Sequence, residues 1–221
     1  MTGRLVGLFL LVATAGAAQD AAVPVEEEPH HKTVFKNAYM QAFRVTLEPG
    51  TTTLMHTHAH DDAAVRLSNA TVAADSPGQA LGPPEVVSPG LVSARDNEVK
   101  PHTHRVHNIG TTLFDVVDVQ VLGRPPGPAT PPISAPAAEN PKMRVYRYDI
   151  APGESTPQHA HTRPYLLVAA TDVNLRMASP DGQSMEHPVK AGDMHWVEVA
   201  VTHSLRNLGS DKAILVEFEL K

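Results

Sequence analysis

One stretch of sequence occurs twice in this chain, and the repetition limits the fold more than any other feature. Segment 49–58 reads PGTTTLMHTH and segment 152–161 reads PGESTPQHAH, and in both copies five residues separate the glycine from the first histidine. A Pro-Gly pair turns the chain because glycine tolerates a positive φ. Side chains of a β-strand alternate between faces, so each His-x-His places two imidazoles on one face. Such a pair can bind one metal ion, and its recurrence in matching frames argues against two chance surface pairs.

The similarity between the two copies continues on both sides of the histidines. Alternating apolar residues precede each turn: Phe43, Val45 and Leu47 in the first copy, and Tyr146, Tyr148 and Ile150 in the second. Downstream, segment 103–110 (THRVHNIG) matches segment 202–209 (THSLRNLG), and a β-rich run closes each copy, at 116–122 and 215–220. A duplication of this length predicts two similar β-domains in tandem. No stretch shows a sustained apolar period of 3.6 residues, so we expect little helix.

The two repeated blocks together resemble the motifs of the cupin superfamily. The first cupin motif has the form G-x5-H-x-H-x3,4-E, and the second ends in H-x3-N, which segments 104–108 and 203–207 match. The resemblance spans residues 34–221 and implies an all-β fold of two tandem antiparallel cupin β-barrels, each a double-stranded β-helix of jelly-roll type. It also implies that three histidines and one glutamate of a barrel hold a divalent metal ion.

Composition divides the chain into five parts. Residues 1–18 are predicted to be a signal peptide, residues 19–33 a flexible acidic arm, residues 34–122 the first barrel, residues 123–141 a Pro-rich linker and residues 142–221 the second barrel. The linker contains seven prolines, a composition that favours an extended spacer. The arm ends in His30-His31. We expect these histidines to lie in a solvated tail rather than to bind metal loosely.

The first residues have the three parts of a secretory signal peptide. Arg4 supplies the positive start, residues 5–12 the apolar segment and residues 13–18 the small side chains before cleavage. The apolar segment is too short to span a bilayer as a stable anchor. We therefore expect a secreted or periplasmic protein that begins near Gln19 and has no membrane span after cleavage.

Composition excludes several kinds of site and partner. The chain has no cysteine, which rules out disulfides, thiolate ligands, iron–sulfur clusters and a cysteine nucleophile. Any metal must then be held by nitrogen and oxygen atoms. The formal net charge is −6 at pH 7, without a basic cluster, so we expect no nucleic-acid partner. The expected partner is a small-molecule substrate or ligand, and a homo-oligomer remains open.

In the first barrel, the resemblance places His56, His58 and His104 in the histidine positions of a metal site. Asp62 stands where the family has glutamate, four residues after His58. Aspartate is a competent but shorter oxygen ligand, and the adjacent His60 or Asp61 could substitute for it. Three imidazoles and one carboxylate suit Fe, Mn, Ni or Zn, and residue types alone do not choose among them.

In the second barrel, the equivalent histidines are His159, His161 and His203, but Tyr165 occupies the carboxylate position. Three imidazoles can still hold Zn, Cu or Fe, with water completing the coordination. Tyr165 could hydrogen-bond to such a water or simply pack in the barrel. The alternative is a degenerate barrel without metal. We therefore expect one or two divalent metal ions in the protein.

The sequence thus predicts an exported, metal-binding bicupin, and a metal-dependent oxidoreductase is the favoured activity. Resemblance to cupin dioxygenases and oxalate-degrading enzymes favours dioxygenase-like chemistry on a small oxygenated substrate over isomerisation. A metal-bound water, Asp62 or Tyr165 would move protons, with the two side chains as candidate catalytic residues. The first barrel is expected to do the chemistry, because Asp62 completes its ligand set. The alternative is a non-catalytic module that binds a metal or a small ligand.

Overall fold

The structure is a computed structural model that describes residues 21–127, 131–198 and 200–221. The predicted signal peptide lies outside these residues, as does a short part of the linker. Apart from one 3-10 turn at Val25–Glu27, the described residues form β-strands and loops, as predicted. No described helix is long and apolar enough to cross a membrane.

The first barrel consists of two facing sheets. Its strands are β1 (Val23–Pro24), β2 (His31–Lys36), β3 (Met40–Leu47), β4 (His56–His58), β5 (Asp62–Arg66), β6 (Ala70–Asp75), β7 (Glu85–Val87), β8 (Val92–Arg95), β9 (His102–Asn108) and β10 (Phe114–Val121). One sheet has the order β1-β4-β9-β6-β7 and the other β2-β3-β10-β5-β8. Neighbouring strands are antiparallel, except that β1 runs parallel to β4.

The second barrel repeats this arrangement. Its strands are β11 (Ala138–Glu139), β12 (Met143–Ile150), β13 (His159–His161), β14 (Tyr165–Ala169), β15 (Val173–Ala178), β16 (Ser184–Val189), β17 (Met194–Val197), β18 (Val201–Asn207) and β19 (Ala213–Leu220). One sheet has the order β11-β12-β19-β14-β17 and the other β13-β18-β15-β16. The turn glycines also correspond, since φ is +79° at Gly50 and +77° at Gly153. The structure therefore confirms the predicted all-β fold of two tandem barrels.

The long strands β10 and β19 each separate two apolar layers. Alternate residues of β10 pack inside the first barrel, beside Phe43 and Val45. Alternate residues of β19 pack inside the second barrel, beside Tyr165 and Leu167. The opposite faces meet in one cluster shared by both barrels. Each fully buried Val, Leu or Phe there contributes about 1.5–3 kcal/mol. The barrels consequently pack through a continuous apolar core.

Two equivalent arginines cross between the barrels in a reciprocal way. The guanidinium of Arg44 pairs with Asp115 and donates at 3.5 Å to the carbonyl of Ala191 in the second barrel. The guanidinium of Arg147 donates at 2.8 Å to the carbonyl of Gly90 in the first barrel. Both arginines alternate with inward-pointing apolar residues, which is why they reach the outer face.

The segment predicted as a flexible arm is instead packed against the first barrel. Val25 joins the apolar core of that barrel, and the side chain of Glu28 is buried. Strand β1 pairs with β4, and β2 pairs with β3. The acidic composition misled the prediction, because most of this segment is exposed and only Val25, Glu28 and His31 are buried. The predicted linker also ends early, since β11 pairs with β12.

Candidate metal centres

In the second barrel, three strands bring the three predicted histidines and one unpredicted glutamate together. Strand β13 carries His159 and His161 on one face, and β18 places His203 directly opposite His159. The adjacent sheet contributes Glu217 from β19. One nitrogen or oxygen of each of these four residues lies within 4.8 Å of the others.

The imidazoles of this group all direct Nε2 at the carboxylate of Glu217. The distance is 3.0 Å from His161 to Oε2, and 3.6 Å from His203 and 3.8 Å from His159 to Oε1. In two of these histidines, the other ring nitrogen, Nδ1, also has a polar partner. Nδ1 of His159 lies 3.0 Å from the carbonyl of Pro157, and Nδ1 of His161 lies 2.7 Å from Glu219. Such partners orient a histidine so that Nε2 faces a metal.

Within the described part of the chain, several polar atoms at the centre of this group are buried without a hydrogen-bond partner. They are Nε2 of His161, Nε2 of His203 and Oε1 of Glu217. Buried polar groups in proteins are nearly always paired, so an unpaired set that converges on one point calls for a ligand. A divalent ion held by three imidazoles and a carboxylate fits these atoms, and Fe, Mn, Ni and Zn all accept that ligand set.

Electrostatics in the second barrel favour an ionised carboxylate beside one charged imidazole. Burial lowers the pKa of His161, but Glu217 and Glu219 outweigh this effect and raise it to about 9. Burial raises the pKa of Glu217, yet the adjacent imidazoles of His159 and His161 lower it to about 2. Burial lowers the pKa of His203 to about 4. A metal ion at this point would replace the proton of His161.

Sequence reasoning missed Glu217, and the expectation that the second site lacks a carboxylate was wrong for that reason. The family pattern draws its carboxylate from the first motif, where this barrel has Tyr165, whereas Glu217 lies in the last strand. A signal was present. Segment 213–220 reads AILVEFEL, in which two glutamates interrupt an otherwise apolar strand. Charged residues are almost never fully buried unless paired, so this pattern indicates a site.

Tyr165 lies beside this group rather than in it. Its ring centroid is 4.1 Å from that of His161, and its buried hydroxyl has no hydrogen-bond partner. Burial and the charge of Glu217 raise the pKa of its hydroxyl, which keeps the group protonated. A second tyrosine contacts the carboxylate directly, since the hydroxyl of Tyr148 donates to Glu217 at 2.8 Å.

A cavity of about 480 Å³ opens beside the second site. His203 contributes to its wall, together with apolar side chains that include Leu175, Met177, Met185, Val189 and Met194. His195 also lines this cavity. Methionines adapt to irregular apolar ligands, so the cavity suits a small molecule with an apolar body.

In the first barrel, the structure also brings the predicted histidines together. His56 on β4 lies directly opposite His104 on β9, and their ring centroids are 4.6 Å apart. The centroid of His58 lies 5.1 Å from that of His56 and 5.3 Å from that of His104. Among the described residues, however, the nitrogens that converge within 4.8 Å belong to His56, His58 and the unpredicted His31.

Asp62 lies against His58. Its Oδ2 atom is 3.0 Å from Nδ1 of His58 and accepts a hydrogen bond from Asn97 at 2.8 Å. Asp118, which sequence reasoning missed, places Oδ2 3.4 Å from the same nitrogen. Burial lowers the pKa of His58, but the two carboxylates outweigh this effect and raise it. His60 points to the partly exposed Glu98 instead, at 3.8 Å.

Comparison with known proteins agrees with this architecture. No family model matches the chain. The chain is 30% identical over 83 residues to the beta-alanine degradation protein BauB of Pseudomonas aeruginosa. The matched region is 38% of this chain and 86% of that protein.

Two solved structures share the fold over most of the chain. A Cupin 2 conserved barrel domain protein from Leptotrichia buccalis has a TM-score of 0.50 and 11% identity, covering 86% of this chain and 87% of that one. Salicylate 1,2-dioxygenase from Pseudoaminobacter salicylatoxidans has a TM-score of 0.52 and 13% identity, covering 84% of this chain and 72% of that one. Its identity to BauB over most of that protein places the chain in the same family, and its fold is that of two tandem cupin barrels.

Proposed function

We propose that the protein is a metal-dependent oxidoreductase of dioxygenase type, and that its second barrel acts on a small oxygenated substrate with an apolar body. The observation that carries this proposal is the convergence of His159, His161, His203 and Glu217 beside an apolar cavity. A first-row ion such as Fe(II) held there would bind substrate oxygens and activate dioxygen. The likeness to salicylate 1,2-dioxygenase supports the fold of such an enzyme.

The residues around the ligands have distinct tasks in this proposal. Tyr148 fixes Glu217 through its 2.8 Å hydrogen bond, and Glu219 fixes His161 from behind. Tyr165 offers a protonated hydroxyl that has no hydrogen-bond partner among the described residues, so it can donate to a substrate oxygen. The apolar cavity wall binds the carbon skeleton of the substrate and excludes water, which strengthens polar interactions inside.

The test is metal analysis combined with dioxygen uptake. Protein purified without a histidine tag is analysed for metals, stripped, and reloaded anaerobically with Fe(II), Mn(II), Ni(II) or Zn(II). Oxygen consumption is then followed with a panel of small hydroxylated aromatic and aliphatic acids. We expect uptake with Fe(II) or Mn(II) and a substrate whose apolar body fits the cavity.

Two variants assign that activity to the site. Glu217→Gln should lose the metal of the second barrel and oxygen uptake, whereas Glu186→Gln, at an exposed ion pair with Arg176, should keep both. Full uptake in Glu217→Gln would contradict the proposal. Stoichiometric metal and tight ligand binding without turnover of any tested compound would instead establish the non-catalytic binding module.

A further inference from the structure

A histidine from outside both cupin motifs lies against the His-x-His pair of the first barrel. His31 is the first residue of β2, and its ring centroid is 4.6 Å from that of His56 and 5.7 Å from that of His58. The nitrogens of these three residues all lie within 4.8 Å of one another. His104 belongs to no such group among the described residues, although its ring is adjacent to that of His56.

Glu28 holds the ring of His31 in place. Its Oε2 atom lies 2.6 Å from Nδ1 of His31 and accepts the backbone N–H of the same residue at 3.1 Å. Its Oε1 atom accepts the backbone N–H of Leu54 at 3.1 Å. This carboxylate is buried and links the N-terminal segment to the chain just before β4. A carboxylate behind Nδ1 leaves Nε2 to face a metal, an arrangement typical of metal-binding histidines.

His56 and His58 also have a polar atom close to Nδ1, as His31 does. Nδ1 of His56 lies 2.8 Å from the carbonyl of Leu54, which can only accept, so Nδ1 carries the proton. Nε2 of His56 then has a free lone pair, and this atom is buried without a partner. Asp62 lies beside Nδ1 of His58 and leaves the other ring nitrogen available. These residues line a cavity of about 520 Å³, through which an ion could enter.

We propose that His31, His56 and His58 form a metal site in the first barrel for a divalent ion of the zinc or copper type, and that this ion fastens the N-terminal segment to the barrel. Three imidazoles, two of them with a carboxylate against Nδ1, suit Zn and Cu, which bind nitrogen ligands well. Strand β1 pairs with β4 at Val23 and His56, so the segment and the ligands form one unit. This site is independent of the activity proposed for the second barrel.

Zinc titration of the metal-free full chain tests the proposal. The wild-type protein should bind two zinc ions, one in each barrel. His31→Ala should weaken one of the two sites by about 100-fold, the upper end of losses seen for groups supporting a metal. His30→Ala is the matched control, because the ring of His30 bonds to the carbonyl of Thr46, at 3.1 Å, and it should leave both sites intact. Glu217→Gln should weaken only the other site, which separates this proposal from the proposed function.

Hydrogen exchange supplies the second readout. Zinc should slow amide exchange in residues 21–31 of the wild-type protein and of His30→Ala, but not in His31→Ala. If His31→Ala lowers the melting temperature of the metal-free protein, His31→Gln replaces it, because its amide can still donate to Glu28. Unchanged zinc affinity and exchange in the His31 variants would overturn the proposal. Loss of the site in His104→Ala together with its retention in His31→Ala would overturn it as well.

Discussion

Nε2 of His161 lies 3.0 Å from Oε2 of Glu217, and both side chains are completely buried in the second barrel. The second ring nitrogen of His161 meets another carboxylate, that of Glu219, at 2.7 Å. In the metal-free protein, a proton on His161 thus occupies the place that a metal ion would take. Removal of one partner from a buried ion pair is strongly destabilising, whereas a metal ion can replace the proton without leaving a buried charge unpaired.

Glu217 should be required for metal binding in the second barrel. We expect Glu217→Gln to weaken binding of Fe(II) or Zn(II) there by about 100-fold or more, since losses of 10–100-fold are typical even for residues behind a ligand. Tyr148→Phe removes the hydrogen bond to Glu217 and should weaken binding by about 10-fold. Competition with a chromophoric chelator measures the metal affinities of both variants. Equal affinities for Glu217→Gln and the wild-type protein would exclude Glu217 as a ligand.

The stability of the metal-free protein should depend on pH through the same pair. The folded pKa of His161, about 9, exceeds its ordinary value of 6.5, so its contribution is complete below about pH 6.5 and is lost as pH rises through 9. The folded pKa of Glu217, about 2, lies below its ordinary value of 4.5, so its contribution is lost as pH falls below about 4.5. His161 and Glu217 therefore stabilise the folded, metal-free protein most between about pH 4.5 and pH 6.5.

Urea unfolding of chelator-treated protein between pH 5.5 and 9.5 measures this dependence. We expect the free energy of unfolding to fall across the alkaline part of the range, and to fall less steeply in His161→Gln. The slope does not vanish in that variant, because carboxylates also raise the pKa of His58. Identical slopes for the two proteins would show that His161 is not charged in the folded, metal-free state.

The cupin resemblance predicted both histidine trios and Asp62, but not the carboxylates of Glu217 and Asp118. His-x-His on a strand fixes the direction of two rings, and the repeated frame then identified His104 and His203 as the third member of each trio. Glu217 and Asp118 reach their sites from other strands, so only sheet pairing brings them in. The first barrel was favoured for chemistry because Asp62 follows its histidines closely in sequence.

The N-terminal segment shows a different limit of sequence reasoning. Its acidic and proline-containing composition is typical of a solvated tail, and it has no clear apolar period. The structure nevertheless buries Val25, Glu28 and His31. Each of them is specified by a partner distant in sequence: the barrel core, the backbone of Leu54 and the ring of His56. Composition cannot indicate such contacts.

Tyr165 should affect turnover without affecting folding. Its hydroxyl is buried and unpaired, so Tyr165→Phe should leave the stability of the protein unchanged or raise it by about 1–2 kcal/mol. If the hydroxyl donates to substrate, kcat should fall by about 10²–10⁴-fold while the metal content stays the same. Urea unfolding and steady-state kinetics provide the comparison. An unchanged kcat would assign Tyr165 to packing alone.

Export is a separate prediction, because residues 1–18 lie outside the described part of the chain. Cleavage after Ala18 would leave a protein that begins at Gln19 and keeps His31. The intact mass of protein from its native host, measured in extracytoplasmic and cytoplasmic fractions, decides the question. A chain that starts at Met1 and is found only in the cytoplasm would refute the predicted signal peptide.

The central claim is that the second barrel carries the chemistry, and a comparison of His58→Ala with His161→Ala tests it most directly. Both variants remove one histidine from the equivalent position of a His-x-His pair, so each serves as the control for the other. Metal content and metal-dependent oxygen uptake are measured on both, after thermal unfolding has verified that each is folded. We expect His58→Ala to retain oxygen uptake and His161→Ala to lose it. Full uptake in His161→Ala, together with none in His58→Ala, would contradict it.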